Sequence, residues 1–286
     1  MVSLVASMST TSAPTQFVDV GNERYAFRRF GAGPAWPLLC LQHFTGTLDN
    51  WDPALIDLLA AGREVILFDN AGVGRSSGSV PATIAGMTTH ALAFASALGL
   101  EQCDILGFSL GGMIAQQMVL DQPSIARRLI LVGTAPRGGE DIMHLEKPSL
   151  AKYLQDPSYQ GYAVLQKIFF APSDTSQAAG AAFITRLAHR IEDRDAPSGP
   201  QVARAQMAAF REWERYSGER FADLRKIQHP TLVMNGVHDE MIPVRNSYWL
   251  EDNLPNATLI VYPDAGHGSL FQYHEAFAGQ AAEFLA

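Results

Sequence analysis

No stretch of eighteen apolar residues occurs in this chain, so nothing in it reads as a membrane span. Cysteine is scarce. The two present, Cys40 and Cys103, each sit in or beside an apolar run, and their expected state is a buried, reduced thiol. No run of lysine or arginine interrupts a formal net charge of −8, which argues against a nucleic-acid surface and mainly favours solubility. Internal repeats are absent. The histidines at 90, 144, 189, 229, 238 and 274 show no metal-ligand spacing, so no zinc or other metal is implied. The opening "MVSLVASMSTTSAPTQ" has no basic segment and too short an apolar core for a signal peptide. Residues 1–15 are expected to form a loose, flexible tail, and the protein is expected in the cytoplasm.

What is present is a chain of 286 residues, 47% hydrophobic and 17% charged, the composition of a globular protein with a substantial core. Its length allows one large α/β domain or two smaller ones. "QFVDV" (16–20) and "RYAFRRF" (24–30) read as strands around the Gly21-Asn22 turn signal, neighbouring positions that often mark reversals. Continuous apolar runs then predict buried strands at 37–42, 64–70, 103–109, 127–135, 231–237 and 258–264. Helical patterns fall between them at 51–62, 83–99, 110–123, 243–253 and 270–285. The alternation predicts a mostly parallel, twisted sheet covered by helices on both faces. From Pro136 to Leu224 it stops. Helical stretches such as "GYAVLQKIFF", "AAGAAFITRLAHRIED" and "ARAQMAAFREWERY" take over. The expected organisation is therefore a core of residues 16–135 and 225–286 with a helical cap at 136–224.

In an open parallel sheet, ligands bind beyond the carboxyl ends of the strands. Ser109 ends one predicted strand, within "GFSLGG". Asp239 follows another, in "NGVHDEMIP", and His267 follows the last, in "PDAGHGSLFQY". The G-x-S-x-G pattern alone is weak, because glycine and serine are common. Its agreement with an acid and a histidine at two further strand ends is much stronger. A serine hydroxyl needs a neighbouring base to become a nucleophile, and a carboxylate can orient that base. The order Ser…Asp…His is the one associated with a strand-to-helix elbow.

With these motifs the chain resembles the α/β-hydrolase superfamily, in its serine esterase and cofactor-free haloperoxidase-like branch, from about residue 16 to the C-terminus. The resemblance implies Ser109 as nucleophile, Asp239 as acid and His267 as general base. It places the oxyanion hole at the backbone N–H groups of Leu110 and Phe44. Two departures stand out. Gln42 and His43 replace the usual His-Gly ahead of Phe44, so His43 is expected to alter the shape or polarity of the pocket. Ala71 stands where arginine is usual in the loop "DNAGVGRSSG", an element expected to be structural. That loop lacks the full dinucleotide fingerprint, so no nucleotide cofactor is expected. Glu240, Asp264 and Asp141 are weaker candidates for the acid.

The reading is a carboxylesterase-type serine hydrolase that cleaves small, neutral carboxylic esters through an acyl-enzyme, without a cofactor. Cap residues Met143, Phe169, Phe170, Phe183, Trp213 and Tyr216 are expected to include the pocket lining. Alternatives on the same triad are a cofactor-free haloperoxidase or perhydrolase, a lactonase and a C–C bond hydrolase. A non-catalytic ligand receptor is the alternative from another class. The partner expected is the small-molecule substrate, with no nucleic acid or membrane, and a homo-oligomer is allowed.

Overall fold

The computed structural model describes residues 8–286. Its centre is one eight-stranded sheet: β1 (Gln16–Val20), β2 (Glu23–Phe30), β3 (Leu38–Leu41), β4 (Val65–Phe68), β5 (Cys103–Phe108), β6 (Ala126–Val132), β7 (Thr231–Gly236) and β8 (Ala257–Tyr262). The strand order is β1-β2-β4-β3-β5-β6-β7-β8. The pairs β1–β2 and β2–β4 are antiparallel, and all others are parallel. All eight expected strands are present. Strands β3, β4, β5 and β7 are buried along their whole length, which is why they read as unbroken apolar runs rather than alternating ones.

The core helices are α1 (Pro53–Leu59), α2 (Ile84–Ala97) and α3 (Leu110–Asp121). Local chemistry sets their starts. Asp52 caps α1, accepting from the Ala54 N–H, with Pro53 in the first turn. Thr83 caps α2 by accepting from the Gly86 N–H. Between β6 and β7 lie four helices and no strand: α4 (Pro148–Leu154), α5 (Ala163–Phe169), α6 (Asp174–Leu187) and α7 (Pro200–Trp213). In α7 the buried side chains are Val202, Gln206, Ala209, Phe210 and Trp213, a stripe of helical spacing turned to the core. The chain closes with α8 (Arg245–Asn253), α9 (Ser269–Gln272) and α10 (His274–Phe284). The single C-terminal helix expected at 270–285 is thus broken at Tyr273.

Charged anchors join the insertion to the sheet. Arg186 of α6 grips Asp52 with two hydrogen bonds, 2.8 and 2.6 Å. Arg28 of β2 donates to Asp49 at 2.6 Å, with both side chains buried, while the other Asp49 oxygen accepts from the Asp195 N–H at 2.6 Å. The loose tail expected at 1–15 needs correction where it is described. The Thr10 amide and hydroxyl both donate to Asp57, at 2.7 and 2.6 Å, and Arg190 donates to the Thr10 and Thr11 carbonyls. Polar side chains that look solvated in sequence are held here by partners far along the chain. Residues 1–7 lie outside the described residues. Both cysteines are free and buried, and burial pushes the Cys103 thiol up to about 12. Among the described residues, no helix is long and apolar enough to cross a membrane.

Candidate active site

Strand β5 runs straight into helix α3, and Ser109 occupies the corner with φ 56° and ψ −116°. A side chain in this backbone region is strained, and such strain persists only where surrounding bonds over-determine it. Here the Ser109 N–H donates to the Val132 carbonyl at 2.8 Å. Its own carbonyl accepts from the Thr134 hydroxyl at 2.7 Å. The glycines around it are demanded by close approach. A Cβ on Gly111 would stand 2.0 Å from the Leu41 carbonyl oxygen, and one on Gly107 would stand 2.6 Å from the Gly111 carbonyl oxygen. So the corner is tight for steric reasons, and that tightness also presents the hydroxyl.

The loops after β7 and β8 are clipped together, with the His238 N–H donating to the Ala265 carbonyl at 2.9 Å. This places Asp239 against His267. One Asp239 oxygen, Oδ2, lies 2.8 Å from His267 Nδ1. The other, Oδ1, accepts from the Met241 and Ile242 N–H groups, each at 2.9 Å. Both side chains are buried. A carboxylate accepts, so Nδ1 carries the ring proton and Nε2 presents a lone pair. Among the described residues neither His267 Nε2 nor Ser109 Oγ has a hydrogen-bond partner, although both atoms are buried.

These two groups line one cavity of about 120 Å³, together with His43, Phe44, Thr45, Met241 and the insertion side chains Leu145, Leu154, Val164, Leu165, Ile168 and Phe169. Phe169 couples insertion and site. Its ring meets His267 edge-on at 5.3 Å between centroids, and its carbonyl accepts from the Gly268 N–H at 2.7 Å. The N–H of Leu110, next in the chain to Ser109 at the start of α3, and that of Phe44, a cavity-lining residue, donate to no protein group among the described residues. Free N–H groups at a helix start can take up negative charge. The neighbouring Thr45 N–H is already used, donating to Gln206 at 2.6 Å.

The family model for the alpha/beta hydrolase fold matches residues 37–272. This chain belongs to that family. A solved alpha/beta hydrolase fold protein from Chitinophaga pinensis is 44% identical, with a TM-score of 0.90 over 97% of this chain and 99% of that one. A RutD protein of Caulobacter sp., named for carbamate hydrolysis, is 31% identical over 82% of this chain and 85% of its own. A 2-hydroxymuconate semialdehyde hydrolase of Pseudomonas sp. is 28% identical over 96% of this chain and 97% of its own.

Of the other acid candidates for an alpha/beta hydrolase, none meets His267. Asp264 accepts from the Ser173 hydroxyl at 2.8 and 2.9 Å. Asp141 pairs with Arg245 at 2.5 Å, and Glu240 faces a separate surface hollow with Phe170 and Tyr153. Five expected pocket residues do not line the Ser109 cavity. Phe170 lines that separate hollow. Phe183 is core, stacked on Phe271 at 4.6 Å between centroids. Trp213 donates to the Ala135 carbonyl at 3.0 Å and borders another hollow with Tyr216, which is half exposed. Met143 is buried beneath the site, its N–H donating to the Met241 carbonyl at 2.8 Å. For Phe183 and Trp213 the rotation of their helices, invisible in a string of apolar letters, decided the outcome, while Met143, Phe170 and Tyr216 lie outside the helices.

His43 is where the structure adds most. Its Nδ1 lies 2.8 Å from the Phe44 carbonyl, and its ring packs edge-on against Phe108 and Phe169 at 5.4 and 5.2 Å. Burial pushes its pKa down to about 3, with the nearby His267 adding to the effect. The ring is therefore neutral under ordinary conditions. A carbonyl can only accept, so Nδ1 holds the proton and Nε2 is a bare acceptor, buried and unpartnered among the described residues.

Proposed function

We propose that this alpha/beta hydrolase is a serine hydrolase of small, neutral carboxylic esters, working through an acyl-enzyme. One observation carries the reading: Ser109 Oγ and His267 Nε2, both buried and both unpaired, face the same apolar cavity, with Asp239 orienting the ring from behind.

In this reading His267 Nε2 takes the Ser109 proton as Oγ attacks the ester carbonyl. The carbonyl π electrons move onto oxygen, and the Phe44 and Leu110 N–H groups hold that oxyanion. Such preorganised donors are worth about 3–4 kcal/mol apiece. Collapse expels the alkoxide, which leaves with the proton from His267. Water then attacks the acyl-Ser109 ester, giving its proton to the same nitrogen; collapse expels Ser109 Oγ, which takes that proton from His267, and the carboxylic acid departs. Asp239 stays ionised and stabilises the imidazolium in both halves. The helical insertion acts as the cap, closing the acyl site with Leu154, Val164, Leu165 and Ile168.

Substrate charge favours an ester over a carbon–carbon bond. The relative named for 2-hydroxymuconate semialdehyde acts, by that name, on a carboxylate-bearing compound. The Ser109 cavity has no lysine or arginine in its lining, and an unpaired carboxylate there would forfeit its hydration without compensation. A neutral acyl chain meets no such penalty.

A fluorophosphonate probe followed by peptide mass spectrometry tests the assignment. The label is expected on Ser109 alone and is expected to vanish in Ser109→Ala and His267→Ala. Labelling of another serine, or none in folded wild-type protein, contradicts it.

A further inference from the structure

Beside the Ser109 cavity lies a second, smaller hollow of about 30 Å³, and His43 lines both. Leu110 forms part of its wall, with Phe68, Met87 and Ile114 supplying further apolar surface. Its volume suits about two water-sized groups, since one needs roughly 10–15 Å³. The space exists because residue 46 is glycine: a Cβ there would stand 2.9 Å from His43 Nε2 and 2.5 Å from Gln42 Cγ.

Of the polar side chains that bound this hollow, Gln42 and Asn70 are spent on backbone groups, and two of opposite kind remain. His43 contributes an acceptor, fixed by the proton that Nδ1 gives to the Phe44 carbonyl. Gln206, from α7, contributes a donor. Its Oε1 is committed to the Thr45 N–H at 2.6 Å, so its Nε2 is the free end, and it donates to no protein group among the described residues. The acceptor is buried and unpaired, a state that is unfavourable unless a donor fills the hollow.

We infer that this hollow is a hydroxyl subsite of the esterase site, in which a hydroxyl on the acyl chain donates to His43 Nε2 and accepts from Gln206 Nε2. The preferred substrates are then neutral hydroxy-esters rather than plain alkanoyl esters, a choice that rests on the serine-esterase reading above. A hydroxyl satisfies both groups at once. An ether or ketone oxygen leaves His43 unmet, and a cation is excluded because Gln206 offers only N–H. The site sits on the oxyanion loop itself, so a substrate that fills it also helps hold Phe44 in place.

The test uses Ser109→Ala protein labelled with ¹⁵N-histidine, so that no turnover occurs. Methyl 2-hydroxybutyrate and methyl 3-hydroxybutyrate are titrated against methyl butyrate while the His43 Nε2 resonance is followed. An upfield move with at least one hydroxy-ester, and none with the butyrate, is expected as the bare nitrogen gains a donor. An unchanged resonance with all three, as when a water alone occupies the hollow, overturns the subsite, and so does an equal move with the butyrate. This readout depends on binding only, so it stays separate from failure of the nucleophile assignment, which the probe experiment reports. As a second measure, the kcat/KM ratio of p-nitrophenyl hydroxybutyrate to butyrate is expected to be about tenfold in wild type. It falls towards unity in His43→Phe and in Gln206→Leu. A ratio unmoved in both variants also overturns the subsite.

Discussion

Asp239→Asn changes little in shape and a great deal in proton placement. Asp239 Oδ1 accepts from two buried backbone donors, the Met241 and Ile242 N–H groups at 2.9 Å each. In the variant only the amide oxygen can satisfy them. The amide nitrogen must then face His267 Nδ1, where the carboxylate oxygen now stands at 2.8 Å. An NH₂ donates, so Nδ1 has to accept, and the ring proton is driven to Nε2. A protonated Nε2 cannot take the Ser109 proton. Turning the amide round restores the tautomer but leaves two backbone N–H groups unmet, at about 1–3 kcal/mol each. The variant therefore faces about 2–6 kcal/mol, and at about 1.4 kcal/mol per decade kcat/KM falls by about 30- to 20,000-fold. The assay is initial-rate hydrolysis of p-nitrophenyl acetate at pH 8, with a urea unfolding curve to establish that the variant is folded. A folded variant that loses less than about threefold refutes this reasoning.

Further outcomes follow from the same packing. Gly111→Ala would set a Cβ 2.0 Å from the Leu41 carbonyl oxygen, so backbone must shift; a stability loss of about 3 kcal/mol or more is expected from urea denaturation, and a variant as stable as wild type contradicts the close approach. Asp52→Ala removes both the α1 cap and the partner of Arg186, and about 3–5 kcal/mol is expected to be lost; a change under 1 kcal/mol speaks against that anchor. Asp69 and Asp195 are both raised above the usual carboxylate range, chiefly by burial, then by neighbouring carboxylates, Asp195 for the one and Asp49 for the other. A carboxyl with a raised folded pKa loses stability as pH climbs from the unfolded value near 4 through the folded one. The urea midpoint is thus expected to decline over that climb and to flatten in Asp195→Asn; superimposable profiles contradict it.

The parts of this site that were legible in the chain are those fixed by strand ends. Ser109, Asp239 and His267 each follow an apolar strand, buried throughout for the first two and only partly buried for β8 before His267, and a parallel sheet brings such positions to one edge whatever their separation along the chain. The position of His43 in the loop after β3 was visible too, as a departure from the family pattern, yet its tautomer came only from the Phe44 carbonyl. The insertion resisted for a different reason. Phe169 and Phe183 look equivalent as letters, but one meets His267 and the other stacks on Phe271. Which face of a helix lines a cavity depends on how the helix is rotated against distant neighbours, and local periodicity does not record that. The tail misled similarly: Thr10 binds Asp57 and Arg190, contacts no local pattern could announce.

The most direct measurement is pre-steady-state hydrolysis of p-nitrophenyl acetate and butyrate, with Ser109→Ala as control. A burst of p-nitrophenol close to one equivalent, followed by steady turnover and absent from the variant, is the expected result. Release in Ser109→Ala equal to wild type, or no release from folded wild-type enzyme, contradicts the claim that Ser109 carries an acyl group.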